Sequence, residues 1–423
     1  MITASKEHLP VTMAQYQKLT RQTDQNKKEG YAGLMLPFLG IYGEVGSLLS
    51  ELKKKQRDAD SYVGYADSVM EELGDVLWYF SNIADRAGLT VSIISQRMSR
   101  EIDDWDEVGN NRFGCFSDIQ TDRQHSGPLS GEKVERSAIN LAAKVGSLLN
   151  DASVGRLKDN RDVLSAHLVE ILRAIIQVAD DADVSLQDAV ERNITKITGR
   201  WPVKRKYLPL FDEKYEADEQ LPRRIEMLIE EKVLNGKAFV IQKCNGIKVG
   251  DRLTDNKAEQ DDYRFHDAFH LAYAAILGWS PVIRALFKLK RKSNPKTDEN
   301  EDGARAILIE EGVATWIFNH GGKLNNFASI RGLDYHLLKA IKELVSGYEV
   351  QDCPLWMWEE AILEGFRVFR FLQKHRKGLV IADLKTRKIS VEAPKFRKRK
   401  SARTSRKQRR SSPHERVKPT RSR

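Results

Sequence analysis

Two stretches near the N-terminus decide the fold: Gly43-Glu-Val-Gly-Ser-Leu-Leu49 and Glu71-Glu-Leu-Gly-Asp-Val-Leu-Trp-Tyr-Phe80. Each lies in a segment whose apolar residues recur at helical spacing, so we predict amphipathic helices over residues 34–55 and 68–87. Both helices present acidic side chains at the edge of an apolar packing face. This part of the chain is therefore predicted to be all-α, with carboxylates gathered where two helices pack.

Glu44, Glu72 and Asp75 are the candidate metal ligands. A spacing of three places Glu72 and Asp75 on one helical face, one turn apart. Carboxylates beside an apolar face are costly unless they are paired or bind a metal. Carboxylate oxygens suit Mg²⁺, with Mn²⁺ as an alternative. The competing interpretation is a solvated acidic face balanced by the lysines at 53–55.

Residues 133–203 repeat the first block. The stretch 43–49 aligns with Ala143-Lys-Val-Gly-Ser-Leu-Leu149 at an offset of 100 residues, and Trp105 aligns with Trp201 at an offset of 96. A repeat of about 100 residues predicts a duplication into a pseudo-dimer, because solenoid repeats are shorter, at about 20–50 residues.

The second copy has lost the acids of the first. Lys144, His167 and Glu170 occupy the positions of the three candidate ligands. We therefore expect no metal ion in the second copy.

These motifs resemble those of the MazG-like all-α nucleoside-triphosphate pyrophosphohydrolases. That superfamily carries E-x-x-E on one helix and E-x-x-D on the next, and the acids bind Mg²⁺. Glu44 begins the first motif here, and Glu72-Leu-Gly-Asp75 matches the second. The resemblance covers residues 12–203. It departs from the family at Ser47, which replaces the second acid of the first motif and leaves the site one negative charge short.

The family also carries N-x-x-K-x-x-x-R, whose residues contact the phosphates of the nucleotide. Asn193, Lys196 and Arg200 match this pattern, and they lie in the second copy. The resemblance thus implies one composite site, with the metal held by the first copy and the phosphates by the second.

The implied activity is Mg²⁺-dependent hydrolysis of a nucleoside or deoxynucleoside triphosphate to the monophosphate and pyrophosphate. Glu51, on the same helical face as Glu44, joins the three ligands as a candidate catalytic residue. Glu51 and Glu71 are the two candidates for a general base. The alternative function is a non-catalytic nucleotide sensor that regulates a metal-dependent hydrolase in the C-terminal domain.

Residues 204–394 predict a helix-rich α+β domain with two small β-hairpins, at 237–253 and 379–392. His266 and His270 have the i, i+4 spacing of a chelating pair, and Glu310 or Glu311 would supply a carboxylate to a transition metal. The alternative is a histidine pair packed among aromatic rings.

The chain of 423 residues is thus predicted to be mainly α: repeat one at 1–120, repeat two at 133–203, the α+β domain at 204–394 and a basic tail. The tail, 395–423, carries 14 Lys and Arg and one acid, so its charge of +13 leaves −3 for the rest of the net +10. We expect it to be disordered and to bind nucleic acid or an acidic partner, with a merely solvated tail as the alternative.

The remaining expectations concern location and assembly. We find no apolar run of the roughly 18 residues that a membrane span needs, so no membrane partner is expected. The three cysteines are far apart and form no C-x-x-C pair, which favours a reducing, cytoplasmic location. Besides the triphosphate substrate, a further copy of the chain is a candidate partner.

Overall fold

The computed structural model describes residues 9–100, 114–120 and 131–393. Trp105 and the basic tail at 395–423 lie outside the described residues, so the expectations placed on them stay predictions. The described part contains thirteen α-helices and five β-strands, and the chain is mainly α as predicted.

The helices are α1 (Met13–Thr23), α2 (Gly30–Asp58), α3 (Tyr65–Arg86), α4 (Val91–Arg100), α5 (Gly131–Ser153), α6 (Arg161–Asp181), α7 (Leu186–Arg200), α8 (Asp267–Ala272), α9 (Pro281–Phe287), α10 (Pro295–Asn300), α11 (Ala304–Gly322), α12 (Tyr335–Leu344) and α13 (Leu355–His375). The strands are β1 (Arg224–Leu234), β2 (Lys237–Cys244), β3 (Ile247–Leu253), β4 (Lys377–Asp383) and β5 (Lys388–Glu392).

Two compact units divide the chain by packing. The first comprises Met1–Lys214, Leu277–Trp279 and Ile330–Ile362, and the second comprises Tyr215–Ile276, Ser280–Ser329 and Leu363–Arg423. Helices α1 to α7 and α12 therefore belong to the first unit, and all five strands belong to the second.

Apolar side chains at helical spacing hold the first unit together. Helix α2 buries Phe38, Ile41, Val45 and Leu48, which recur every three or four residues on one face. Helix α3 buries a matching stripe against them, made of Val69, Leu73, Val76, Leu77, Phe80 and Ile83. The acidic side chains lie beside these two stripes, with Glu44 on α2 and Glu72 and Asp75 on α3.

The short third helix of each predicted repeat packs against the other repeat. Helix α7 packs on α3, whereas α4 packs on α6. This exchange suits a duplicated bundle, although the duplication itself stays a prediction. It also brings the N-x-x-K-x-x-x-R motif of α7 beside the Glu72-Leu-Gly-Asp75 motif of α3.

Gly74 permits the close approach of α3 and α7. A Cβ at this position would lie 2.8 Å from the carbonyl oxygen of Ala189 and 3.0 Å from Cβ of Asn193. Both distances are shorter than ordinary van der Waals contact, so only glycine allows the two backbones to meet here. The glycine of the Glu72-Leu-Gly-Asp75 motif thus positions α7.

The second unit contains one antiparallel sheet in the order β3-β2-β1-β4-β5. Both predicted hairpins are present, and β2 and β3 are joined by Asn245 and Gly246, whose φ angles are 51° and 81°. Strand β1, which was not among the predicted strands, pairs with both β2 and β4 and joins the two hairpins into one sheet.

Helix α2 corrects the expectation about membrane spans. With the short turn that follows it, the segment Gly30–Ser61 is apolar and long enough to cross a membrane, and so is the bent pair Tyr263–Leu277 and Pro281–Phe287. The core helix of a soluble protein meets the same criterion, and α2 buries a full stripe in the first unit. The finding is therefore weak evidence for membrane contact.

Replacing Gly74 by alanine should lower the free energy of unfolding by about 1–3 kcal/mol, because α3 and α7 must move apart or strain. Gly46→Ala is the matched control: it lies in α2, and a Cβ there meets no atom within 4 Å. The control should be neutral or stabilising by up to about 1 kcal/mol. Urea unfolding followed by circular dichroism measures both, and equal effects would contradict the close-approach argument.

Candidate functional site

Three carboxylates from two helices meet in the first unit. Glu44 of α2 and Glu72 and Asp75 of α3 each place an oxygen within 4.8 Å of the others. They line a cavity of about 470 Å³ together with Ser47. The structure thus brings together the three predicted ligands, which lie on facing helical edges as the spacing required.

Two residues of the N-x-x-K-x-x-x-R motif contact the carboxylate of Asp75. The Nζ atom of Lys196 lies 2.5 Å from Oδ2 of Asp75, and the side-chain amide of Asn193 donates to Oδ1 at 2.9 Å. Asn193 is itself buried and accepts a hydrogen bond from the hydroxyl of Tyr16 at 3.0 Å. Burial raises the pKa of Asp75, and the ammonium of Lys196 opposes that rise.

Glu44 and Glu72 lack such a cation. Burial raises the pKa of Glu44 to about 7, and the charge of Asp75 adds to the rise. Burial and the charges of Glu44 and Asp75 raise the pKa of Glu72 to about 8. Burial and repulsion therefore favour the protonated forms of both carboxyl groups, and a bound cation would favour the ionised forms.

This donor set fits a magnesium ion. All the ligand atoms that converge here are carboxylate oxygens, which hard divalent cations prefer over nitrogen or sulfur. A dication would offset the burial and the repulsion that raise the pKa values of Glu44 and Glu72. Ser47 adds a neutral hydroxyl to the cavity wall but no charge.

Glu71, next to the ligand Glu72, is neutralised by α12. Its carboxylate accepts hydrogen bonds from the hydroxyl of Tyr335 at 2.9 Å and from Nζ of Lys339 at 2.7 Å. Lys196 lies 3.3 Å away. Burial alone would raise the pKa of Glu71, but these donors outweigh it and lower the pKa to about 2.

Neither candidate for a general base suits that role. Glu71 is ionised, but a carboxylate with a pKa near 2 accepts protons poorly at neutral pH. Glu51 is not among the residues that line the cavity. Its carboxylate is bound by Lys54 at 2.6 Å and by the hydroxyl of Tyr62, which together outweigh burial and lower its pKa.

Arg200 lies in the cavity wall with its guanidinium only partly satisfied. It donates to the carbonyl oxygen of Leu333 at 2.9 Å and stacks 4.4 Å from the ring of Trp201. Its Nε atom is buried without a hydrogen-bond partner in the described structure. Burial lowers the pKa of this guanidinium.

The aligned positions of the predicted second copy are paired with neighbouring side chains. Lys144 and Glu170, which replace Glu44 and Asp75, form an ion pair at 2.9 Å. His167 lies 3.0 Å from Asp151. Within the described ranges, no three-ligand cluster occurs in this copy.

Several residues that line the cavity were not among the predicted site residues. Trp78 and Tyr79 line the cavity beside Asp75, and their i+3 and i+4 positions on the same helix were a usable signal. Tyr335 and Lys339 had no such signal, because 264 and 268 residues separate them from Glu71.

In the second unit, the structure also brings together His266 and His270. Glu311 faces both imidazoles. Glu310 instead contacts Nδ1 of His270, whereas Glu311 faces Nε2 of the same ring.

Comparisons with known proteins agree with part of the resemblance. Residues 206–395 match the family described as MazG C-terminal domain. The matched residues lie after the motifs at 12–203. The match therefore supports a MazG-like relationship for residues 206–395 and does not cover the motifs. The matched residues coincide with the domain predicted at 204–394.

One curated relative is the Gene 37 protein of Mycobacterium phage L5, which is 34% identical over 67 residues. The matched stretch is 15% of this chain and spans 59% of the length of that protein. No solved structure matches the chain.

Proposed function

We propose that the first unit is a Mg²⁺-dependent nucleoside triphosphate pyrophosphohydrolase that releases a nucleoside monophosphate and pyrophosphate. One observation carries the proposal: Glu44, Glu72 and Asp75 share a cavity with Lys196 and Arg200. A cluster of oxygen ligands beside two cationic donors suits a metal-bound polyphosphate. The MazG C-terminal match supports a nucleotide pyrophosphohydrolase at the level of the family only.

The three carboxylates would hold Mg²⁺, which when bound supplies charge neutralisation and activates the attacking water. Lys196 offers a third N–H beyond its contacts with Asp75 and Glu71. The unpartnered Nε–H of Arg200 is a further donor for a phosphate oxygen. These groups would bind and orient the triphosphate, so catalysis would rest mainly on positioning and electrostatic stabilisation.

Tyr335 and Lys339 would act on the site through Glu71, to which both donate hydrogen bonds. By neutralising Glu71 they leave Lys196 shared between Glu71 and Asp75 instead of committed to one of them. Tyr16 and Asn193 fix the orientation of the Asp75 carboxylate in the same way. These four are positioning residues for the metal ligands.

The nucleotide-sensing alternative draws on Ser47. A hydroxyl at this point of the cavity leaves three carboxylates for the metal. A weakly held ion would support binding of the triphosphate with little turnover. Pyrophosphate release from a panel of triphosphates separates the two: binding by calorimetry without release would select the sensor.

Binding of Mg²⁺ should strengthen as the pH rises. Glu44 and Glu72 must lose protons to bind, and their pKa values are about 7 and about 8. We expect affinity to fall on the order of 100-fold from pH 8 to pH 6, with release of up to two protons per ion. Calorimetry in two buffers of different ionisation enthalpy measures both quantities. An affinity that is equal at the two pH values would contradict the assignment.

Alanine at Lys196 should lower kcat/KM for triphosphate hydrolysis by about 100- to 1000-fold, because a charged donor to the substrate is lost. Asp75→Asn should abolish turnover through loss of the metal. Lys144→Ala is the matched control, since this lysine pairs with Glu170 in the second copy, and it should retain full activity.

The composite site would be wrong if Asp75→Asn abolished hydrolysis while Lys196→Ala left it untouched. Phosphate or pyrophosphate release, measured with Mg²⁺ and again with Mn²⁺, gives the required rates. Circular dichroism of each variant excludes loss of fold as the cause.

A further inference from the structure

His270 is fully buried in the second unit, and its ring orientation is fixed. Its Nδ1 atom lies 2.9 Å from Oε1 of Glu310, a carboxylate that also accepts from Oγ of Ser280 and the backbone N–H of Val282. A carboxylate is an acceptor, so Nδ1 carries a proton and Nε2 is the ring nitrogen that remains for another partner. That Nε2 atom has no hydrogen-bond partner in the described part of the chain. A buried polar atom left in this way calls for a ligand.

His266, one turn earlier, presents a second imidazole nitrogen in the same way. Its Nδ1 atom is 2.9 Å from the carbonyl oxygen of Tyr263, and the ring stacks on the Tyr263 ring with centroids 4.4 Å apart. The carbonyl can only accept, so here too the proton belongs on Nδ1. Both histidines therefore offer Nε2 as a ligand atom.

Carboxylates complete the cluster. Oε2 of Glu311 lies 3.5 Å from Nε2 of His270 and 3.9 Å from Nε2 of His266. Oδ1 of Asp267 lies 3.2 Å from Nε2 of His266, and its other oxygen accepts from the buried amide of Gln242. One ring nitrogen of each histidine and one Asp267 oxygen all lie within 4.8 Å of one another.

These separations fit a single ion. Metal–nitrogen bonds of roughly 2.1 Å in tetrahedral geometry place neighbouring ligand atoms about 3.4 Å apart. The contacts around Nε2 of the two histidines, 3.2 to 3.9 Å, bracket that value. Glu310 behind His270 reproduces the carboxylate–histidine–metal arrangement that orients ligands in metal sites.

We propose that the second unit holds a divalent first-row transition metal, of the Zn²⁺, Mn²⁺ or Fe²⁺ class, bound by His266, His270 and Glu311. Two imidazoles with a carboxylate favour such ions over Mg²⁺, which prefers oxygen ligands alone. Asp267 is the fourth ligand or a hydrogen-bond partner of a bound water. The site is separate from the acid cluster of the first unit in both its residues and its donor chemistry.

The site is also open on one side. His266 and Glu311 line a cavity of about 630 Å³, together with Tyr263, Asp255 and Thr315. Structural metal sites are closed by protein ligands, whereas catalytic ones keep a position for water or substrate. The three protein ligands and the adjoining cavity match the second kind of site, which keeps a coordination position for water or substrate.

Cobalt titration of the full-length protein tests the proposal. The Glu72→Gln variant provides the background, because it weakens the acid cluster of the first unit. One equivalent of Co²⁺ should give visible d–d absorption bands, which Zn²⁺ should displace and millimolar Mg²⁺ should not. Glu311→Gln should weaken Co²⁺ binding at least 10- to 100-fold, and Glu310→Gln, behind His270, should weaken it by about 10- to 100-fold.

His320→Gln is the matched control, because His320 lies on α11 with Glu311 and packs on Trp316 away from the cluster. It should leave the bands and the affinity unchanged. The side chain of Glu311 is 37% exposed, so its replacement should not unfold the chain, and thermal unfolding without metal checks this. Absence of the bands, or an affinity in Glu311→Gln and His266→Gln equal to that of the background protein, would overturn the site.

Discussion

The charge on four neighbouring carboxylates constrains the whole first unit. These acids lie around one cavity: Glu44, Glu71, Glu72 and Asp75. Several kcal/mol of desolvation cost attend each buried charge that lacks a partner. Helix α7 neutralises part of this charge with Lys196, and α12 neutralises another part with Tyr335 and Lys339. Burial and repulsion favour the protonated form of the two remaining carboxyl groups, and a bound cation would take the place of those protons.

The candidate ligands could be predicted because their information is local. Helical periodicity alone places Glu72 and Asp75 on one face, and a facing helix supplies Glu44. For Glu51, the same reasoning did not indicate the neighbouring side chains. This residue shares the helical face of Glu44, yet Lys54 and Tyr62 lie close enough to bind its carboxylate outside the cavity. Periodicity gives the direction of a side chain but not the partner that it meets.

Strand β1 and the contacts of helix α12 escaped prediction for a different reason. The β1 sequence alternates buried Ile225, Met227 and Ile229 with residues that are less buried, and the glutamates among these weaken a strand signal. In the folded unit, Glu230 pairs with Lys377 at 2.7 Å and Glu231 with Arg264 at 2.8 Å. Long-range partners of this kind are set by tertiary packing, as are the contacts of Tyr335 with Glu71.

Helix α12 has a consequence for how this chain can have been assembled during evolution. By sequence it lies within the stretch that matches the MazG C-terminal domain, at 206–395, but by packing it belongs to the first unit. An ancestral exchange of that stretch for an unrelated domain would have removed two of the three donors to Glu71. A boundary near residue 204 therefore separates the acidic bundle from two of the three donors that its Glu71 uses.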